Sequence, residues 1–213
     1  MPRTSTTANA LLGLLALRPS WSTWELAQQM RRNLRFFWPR AESRVYDELR
    51  RLDAGGLVRA ERGRTGRRPR TTYAITPAGR EELERWLATP PRGTYLESEP
   101  LLRVLLGRLA GEQELHAAVA RVRADAEELE AVAAQVADEY LAGTAPFQDH
   151  VRVRALVFDY LRRQATAMQE WADAADAHLA ALRELPEAEG DAAAVDLIAR
   201  SRGALRARDN AVS

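Results

Sequence analysis

The stretch from Arg40 to Gly79 places the strongest constraint on the fold of this chain. It opens with a helical pattern over Arg40–Gly55, in which the apolar residues Val45, Leu49 and Leu52 recur at spacings of four and three. This spacing puts them on one face of a helix. Arginine and other polar residues occupy the opposite face, so the pattern predicts a surface helix with an apolar back and a basic front.

Two short strand patterns follow that helix, Leu57–Glu61 and Thr71–Ile75, and the nine residues Arg62–Arg70 between them are predicted to form a turn. The turn holds five arginines and two glycines, and only Glu61 is close to it in sequence. Its glycines allow close approach to a nucleic-acid backbone. Thr76-Pro77 then has the cap and first-position proline of another helix. The order predicts a winged helix-turn-helix domain.

Two further helices are predicted before this stretch. The first runs from Thr7 to Leu17 and ends before Pro19, because the residue preceding a proline disfavours helical backbone. The second opens at the capping-box sequence Ser22–Glu25 and runs to about Arg32. Its predicted inward-facing residues are Trp24, Ala27 and Met30.

After Pro90-Pro91 the pattern changes to long helices. Apolar residues at spacings of four and three predict coiled-coil-like helices over Gly111–Leu141 and Gln148–Glu184, then a break at Pro186–Gly190 and a short helix over Ala192–Leu205. Helices this long are seldom stable in water without a packed partner. We therefore expect an antiparallel hairpin whose remaining apolar surface binds a second copy of the chain.

The charge of the chain is divided between its two parts. The net charge is +1, but residues 1–90 hold 17 arginines and 9 acidic residues, whereas residues 91–213 hold 14 and 21. Such a split suggests a polyanion-binding part joined to a part that avoids polyanions. We predict a DNA-binding domain over 1–90, a helical dimerisation and candidate effector-binding domain over 91–205, and a tail over 206–213. The predicted fold class is mainly α with a small two-stranded β wing.

Other functional classes have little support. No apolar run approaches the ~20 residues of a membrane span, no signal-peptide pattern is present, and there is no cysteine, so we expect a cytoplasmic protein. The three histidines are widely spaced, and neither a Gly-x-Ser-x-Gly elbow nor a phosphate-binding loop is found. We predict no cofactor and no metal, and not an enzyme. Two alternatives stay open: a winged-helix adaptor that does not read DNA, and a hydrolase whose site is assembled from scattered residues.

The predicted DNA contacts come from the Arg40–Gly55 helix and the basic turn. Arg40 and Arg50 can pair with guanine in the major groove, Ser43 can meet a base or a phosphate, and residues at the sides of the helix suit phosphates. The turn suits phosphates or the minor groove. The alternatives are a solvated helix with internal ion pairs and a disordered basic loop. The full predicted set is Arg40, Ser43, Arg44, Tyr46, Arg50, Arg62, Arg64, Arg67, Arg68 and Arg70.

Aromatic and soft side chains towards the helical part suggest a second candidate site. They can simply pack the core and a dimer interface. They can instead line an apolar cavity between helices, where bundles often hold ligands. The residues predicted to bind an effector are Trp86, Phe158, Gln164, Met168, Trp171 and His178.

Several segments together resemble the PadR family of bacterial transcriptional regulators. They are Phe37–Pro39, Ser43–Leu52, Gly55–Val58 and Tyr73–Arg80, within a match that covers about residues 8–88. The long helices are similar to the larger members in architecture only. The resemblance implies a homodimeric repressor that binds an inverted-repeat operator and is released by a small molecule or by phenolic or drug stress. It also implies that Tyr46 contacts the DNA backbone.

Overall fold

The computed structural model describes residues 4–39, 44–65, 68–109 and 111–212. The chain divides into two compact units, Met1–Tyr95 and Leu96–Ser213. Most residues are helical, and a small antiparallel sheet lies in the first unit. The predicted class, mainly α with a small β wing, is confirmed. The sheet has three strands instead of the predicted two, in the order β1-β3-β2. Within the described ranges, no helix is both long and apolar enough to cross a bilayer.

The first unit packs its helices around a leucine-rich core. The core includes Leu11, Leu12 and Leu15 of the first helix, Leu26 and Met30 of the second, and Leu49 of the third. In chain order the elements are α1 (Thr6–Ala16), β1 (Trp21–Ser22), α2 (Thr23–Leu34), α3 (Val45–Ala54), β2 (Val58–Thr65), β3 (Arg68–Ile75) and α4 (Pro77–Leu87).

Helix α2 begins at the predicted capping box. The Ser22 hydroxyl accepts a hydrogen bond from the Glu25 N–H at 3.2 Å, and the Glu25 carboxylate accepts one from the Ser22 N–H at 2.7 Å. The prediction that Trp24 faces inward was wrong, because its side chain is 63% exposed. Leu26 and Met30 define the buried side, and Trp24 lies about 200° around the helix from Leu26 at 100° per residue.

Strand β1 was not predicted from the sequence. It contains only Trp21 and Ser22, which pair with Tyr73 and Thr72 of β3. A two-residue strand is too short to show the alternation by which strands are recognised. The buried Trp21 side chain nevertheless anchors this strand, since it is only 2% exposed.

Among its described residues, the second unit contains four α-helices and two short 3-10 helices, Gly107–Leu109 and Gln148–His150. The two long helices, α6 (Glu112–Leu141) and α7 (Val151–Arg183), confirm the predicted bounds within a few residues. A short helix, α5 (Glu99–Leu105), packs against α6 and was not predicted. The last helix, α8 (Glu187–Val212), is longer than predicted at both ends. The break lies before Glu187 and not over Pro186–Gly190, because proline is well tolerated at the start of a helix.

Helices α6 and α7 run antiparallel, as ion pairs between them show. Arg123 on α6 pairs with Asp173 and Asp176 on α7, at 3.0 and 2.7 Å. Nearer the start of α6, Glu112 lies 3.8 Å from Arg183 at the end of α7. The hairpin therefore forms as the apolar spacing predicts.

Candidate nucleic-acid interface

Helix α3 has one buried and one exposed face. The buried face carries the predicted apolar residues Val45, Leu49 and Leu52. Arg44 at the N-cap, Tyr46 and Arg50 are exposed, and Tyr46 is 59% accessible. Side chains on the exposed face of α3 are accessible to a groove of a DNA duplex. Arg40 and Ser43, also predicted for this surface, lie outside the described residues.

The arginines of α3 form ion pairs within the helix. Arg50 pairs with Asp47, and Arg51 lies 3.5 Å from Glu48. This is the internal pairing that the sequence offered as the alternative to DNA contact. The side chains of Arg50 and Asp47 are 75% and 57% exposed, and surface helix pairs contribute only about 0.3–0.5 kcal/mol. A phosphate or a guanine edge can therefore replace Asp47 as the partner of Arg50.

Glu48 is a buried carboxylate on the back of the same helix. Its side chain is 6% exposed, and the Ser5 hydroxyl donates to it at 2.8 Å. Ser5 is also the N-cap of α1, so the hydrogen bond fixes α3 against the start of α1. The helical spacing indicates that Glu48 is buried, since position 48 is three residues after Val45 and four before Leu52. The burial was not predicted because charged side chains are rarely buried.

The wing strands extend further than predicted. Strands β2 and β3 remain paired from Val58 with Ile75 out to Thr65 with Arg68. Most of the predicted turn, Arg62–Arg70, is therefore strand, and reading it as a turn was wrong. The ladder is made by backbone groups, so arginine and glycine continue it even though they show no apolar alternation. Arg67 lies outside the described residues.

Strand alternation places the wing arginines on two faces. Arg62 and Arg64 share one face because they are two residues apart, whereas Arg70 stands opposite Gly63 and belongs to the other face. An open cleft of about 400 Å³ lies at the base of the wing. Its lining residues are Ser20, Glu61, Arg62, Gly63, Arg64, Arg70 and Thr72.

Arg70 has an acidic partner that is distant in sequence. Its guanidinium lies 3.3 Å from Glu25, 45 residues earlier in the chain. Glu61, which the sequence offered as the neighbouring acid, pairs instead with Arg59 at 2.9 Å. Arg70 is thus held towards the start of α2, while Arg62 and Arg64 are exposed further along the wing.

Glu25 is the acidic centre of a cluster at the start of α2. It accepts hydrogen bonds from the Ser22 hydroxyl at 2.6 Å and from Arg18 at 2.9 Å. The Arg18 guanidinium also stacks on Trp21, 3.4 Å from the ring centre. Partial burial raises the pKa of Glu25, but the Ser22 hydrogen bonds and the charge of Arg18 outweigh it and lower the pKa from its ordinary 4.5 to about 2. The ionised carboxylate therefore stabilises this corner.

Replacing Glu25 with glutamine is expected to destabilise the first unit by about 1–2 kcal/mol at pH 7. The lowered pKa corresponds to at most about 3.4 kcal/mol, and screening at a side chain that is 29% exposed reduces this. Because the folded pKa is depressed, this contribution is present above pH 4.5 and is lost as pH falls towards 2. Urea unfolding at pH 7 and pH 3 measures it. Glu61→Gln is the control, and an equal loss in both variants would contradict the assignment.

The six residues predicted to bind an effector fall in different parts of the chain. Trp86 belongs to α4 in the first unit, and the others lie along α7. Phe158 and His178 are separated by about 30 Å along α7 at 1.5 Å per residue, so one small ligand cannot touch both in a single chain. The central members, Gln164 and Met168, are half-buried and share a face. Effector binding by these residues stays a prediction.

Comparison with known proteins finds a family that is similar to the first unit of this chain. Residues 11–85 match the family model described as the transcriptional regulator PadR-like family. The probable transcriptional regulator Rv1176c of Mycobacterium tuberculosis is 37% identical over 70 residues, which is 32% of this chain and only 37% of that protein's length. Both descriptions are of regulators of transcription and not of enzymes.

Solved structures share the fold over most of the chain. The PadR-like transcriptional regulator BC1756 from Bacillus cereus has a TM-score of 0.69 at 20% identity, covering 83% of this chain and 99% of that one. Bacillus subtilis PadR in complex with operator DNA has a TM-score of 0.63 at 20% identity, and in complex with p-coumaric acid 0.58 at 21%; each covers 82% of this chain and 99% of that one. The resemblance to the PadR family that the sequence predicts is confirmed over residues 11–85.

Proposed function

We propose that this chain is a sequence-specific DNA-binding repressor that acts as a homodimer on an inverted-repeat operator, in the cytoplasm where the operator lies. The observation that carries the proposal is the pairing, in one compact unit, of the exposed face of α3 with an arginine-bearing wing. A major groove admits one helix, and Arg50 suits a guanine edge. Tyr46 and Arg44 suit phosphates, as do Arg62 and Arg64. Operator DNA bound to Bacillus subtilis PadR, which shares the fold, supports the same use here.

The proposed dimer uses the second unit. Apolar side chains that would cost free energy in water are exposed there, a common mark of an interaction surface. The exposed set includes Leu102, Leu105 and Leu106 near α5, and Val153, Leu156 and Tyr160 on α7. A two-fold dimer would present two α3 helices about one DNA turn apart, roughly 34 Å, and this geometry calls for a near-palindromic site.

Release by a small molecule or stress signal is the third part of the proposal. Bacillus subtilis PadR has been solved with p-coumaric acid, which supports a ligand response in this fold. A ligand that binds one arrangement of the helical pair better than another would change the spacing of the α3 helices and lower DNA affinity. Gln164, Met168 and Trp171, which lie within about two turns of α7, are the proposed contacts.

Selection of genomic fragments with the purified full chain tests the proposal. A recovered near-palindromic sequence, bound by a dimer at moderate salt, is the expected result. Retention of DNA without sequence preference would show general DNA affinity and contradict the recognition of a specific operator. Failure to retain any duplex at low salt would favour the adaptor function instead.

Replacing Arg50 with alanine is expected to weaken operator binding by about 1–3 kcal/mol per half-site and to relax specificity at one base pair, as loss of a guanine contact does. Competition with operators changed at single positions measures this. Arg163→Ala, at an exposed arginine of α7 in the second unit, is the control. A uniform loss on all sequences would assign Arg50 to a phosphate.

A further inference from the structure

The last helix, α8, has little packing within its own chain. Among residues 187–206, whose side chains the structure describes, Gly190, Ala193 and Ala194 are half-buried and none is buried. The helix is 26 residues long and carries two interior glycines, each of which costs about 1 kcal/mol relative to alanine. An isolated helix of this composition is marginal in water. A packing partner is therefore needed to stabilise α8 as a helix.

An apolar stripe lies on one side of α8. Val195, Ile198 and Leu205 are 65%, 68% and 66% exposed. Their spacings of three and seven place them on one side of the helix. The half-buried Ala193 lies about 160° around the helix from Val195, whereas the half-buried Ala194 lies only about 40° from Ile198, so one edge of the stripe borders the residues that meet the chain itself.

The charges of α8 are separated along its length. The first part carries only acidic charges and the second only basic ones before Asp209. The acidic residues are Glu187, Glu189, Asp191 and Asp196, and the basic residues are Arg200, Arg202, Arg206 and Arg208. Two such helices side by side oppose like charges when parallel and opposite charges when antiparallel. The helix is thus complementary to a reversed copy of itself.

We propose that α8 pairs antiparallel with α8 of a second copy of this chain. Placing Asp196 opposite the second copy's Arg200 centres the pair at Ile198, on the apolar stripe, and brings residues 187–196 of each helix beside residues 200–209 of the other. The contact is two-fold and self-complementary, as closed dimers require. Burial of the apolar stripe supplies affinity, and the charges select the antiparallel direction. The inference rests on the proposed homodimer and assigns it a specific surface.

Charge reversal in the full-length chain tests the pairing. One variant carries Glu189→Arg, Asp191→Arg and Asp196→Arg; the other carries Arg200→Glu, Arg202→Glu and Arg206→Glu. Each alone is expected to weaken self-association at least tenfold by sedimentation, because like charges then meet along the pair. Mixing the two variants, or combining all six changes in one chain, is expected to restore it. Unchanged self-association of both separate variants would overturn the inference.

The absence of native cysteines permits a geometric test. Ile198→Cys lies at the proposed centre and on the paired face, and it is expected to form a disulfide with the same residue of the second copy. Ala192→Cys would lie about 18 Å along the helix axis from its counterpart and is expected not to do so. A dimer in which Ile198→Cys fails to cross-link overturns the α8 pairing and leaves the homodimer standing. A full chain that stays monomeric at every concentration overturns the homodimer itself.

Discussion

Replacing both Arg62 and Arg64 with alanine is expected to weaken operator binding about 10³-fold at 0.1 M salt. The two residues share one exposed face of the wing, and a dimer carries four of them. Each phosphate contact releases counterions and contributes roughly 0.9 to the slope of log affinity against log salt. Loss of four contacts should therefore reduce the slope by about 3.6. Titration of labelled operator from 50 to 300 mM salt measures both quantities.

Arg70→Ala is the matched comparison for this experiment. It removes one charge from the same hairpin, half of what the double variant removes, and Arg70 lies on the other face with its guanidinium 3.3 Å from Glu25. Two lost phosphate contacts per dimer would reduce the slope by about 1.8. A change well below that value is expected, because DNA contact by Arg70 would require it to leave the Glu25 carboxylate. Equal slopes for the double variant and the unchanged protein, with DNA still retained, would remove Arg62 and Arg64 from the interface.

Most of the helices were predictable because they carry their own local signals. The capping box at Ser22–Glu25, the Thr76-Pro77 start and the apolar spacing of α3, α6 and α7 are local patterns, and local backbone and packing preferences determine such elements. An apolar spacing of four and three that is repeated over about thirty residues is compatible with few structures other than a helix. The family resemblance added the arrangement of these elements, which no single pattern contains.

The parts that could not be predicted depend on contacts between distant residues. Strand β1 exists because Trp21 pairs with Tyr73, and the position of Arg70 depends on Glu25. Neither pairing leaves a mark in the sequence around one partner alone. Trp24 shows a related error: the inward position expected for it, together with Ala27 and Met30, is excluded by the helical spacing of the buried residues Leu26 and Met30.

Gly79, in the first turn of α4, is packed too closely for any larger residue to fit at its position. A Cβ atom at Gly79 would lie 2.0 Å from the Leu57 carbonyl oxygen and 2.9 Å from Ile75 Cγ1. That same oxygen accepts hydrogen bonds from the Thr76 N–H at 3.1 Å and the Thr76 hydroxyl at 3.0 Å. The first turn of α4 thus packs directly against Leu57, in the segment that joins α3 to the wing.

Gly79→Ala is consequently expected to destabilise the first unit by about 2–4 kcal/mol, since the backbone atoms that it meets cannot move aside as a flexible side chain could. Urea unfolding measures the loss. Gly13→Ala is the control, because that glycine lies within α1 with open space around it, and the change should stabilise by up to about 1 kcal/mol. Equal stabilities for the two variants would contradict the close packing at Gly79.

The Gly79→Ala variant also distinguishes an effect on the stability of the first unit from an effect on the position of α3 relative to the wing. If Gly79→Ala only lowers stability, the fraction that stays folded should bind the operator with unchanged affinity. We expect instead that affinity falls in the folded fraction, because relief of the clash must displace either α4 or Leu57, and Leu57 lies between the C-terminal end of α3 and the first residue of β2. A shift at that point changes the angle between α3 and the wing, so the two elements proposed to contact DNA would no longer fit one duplex together.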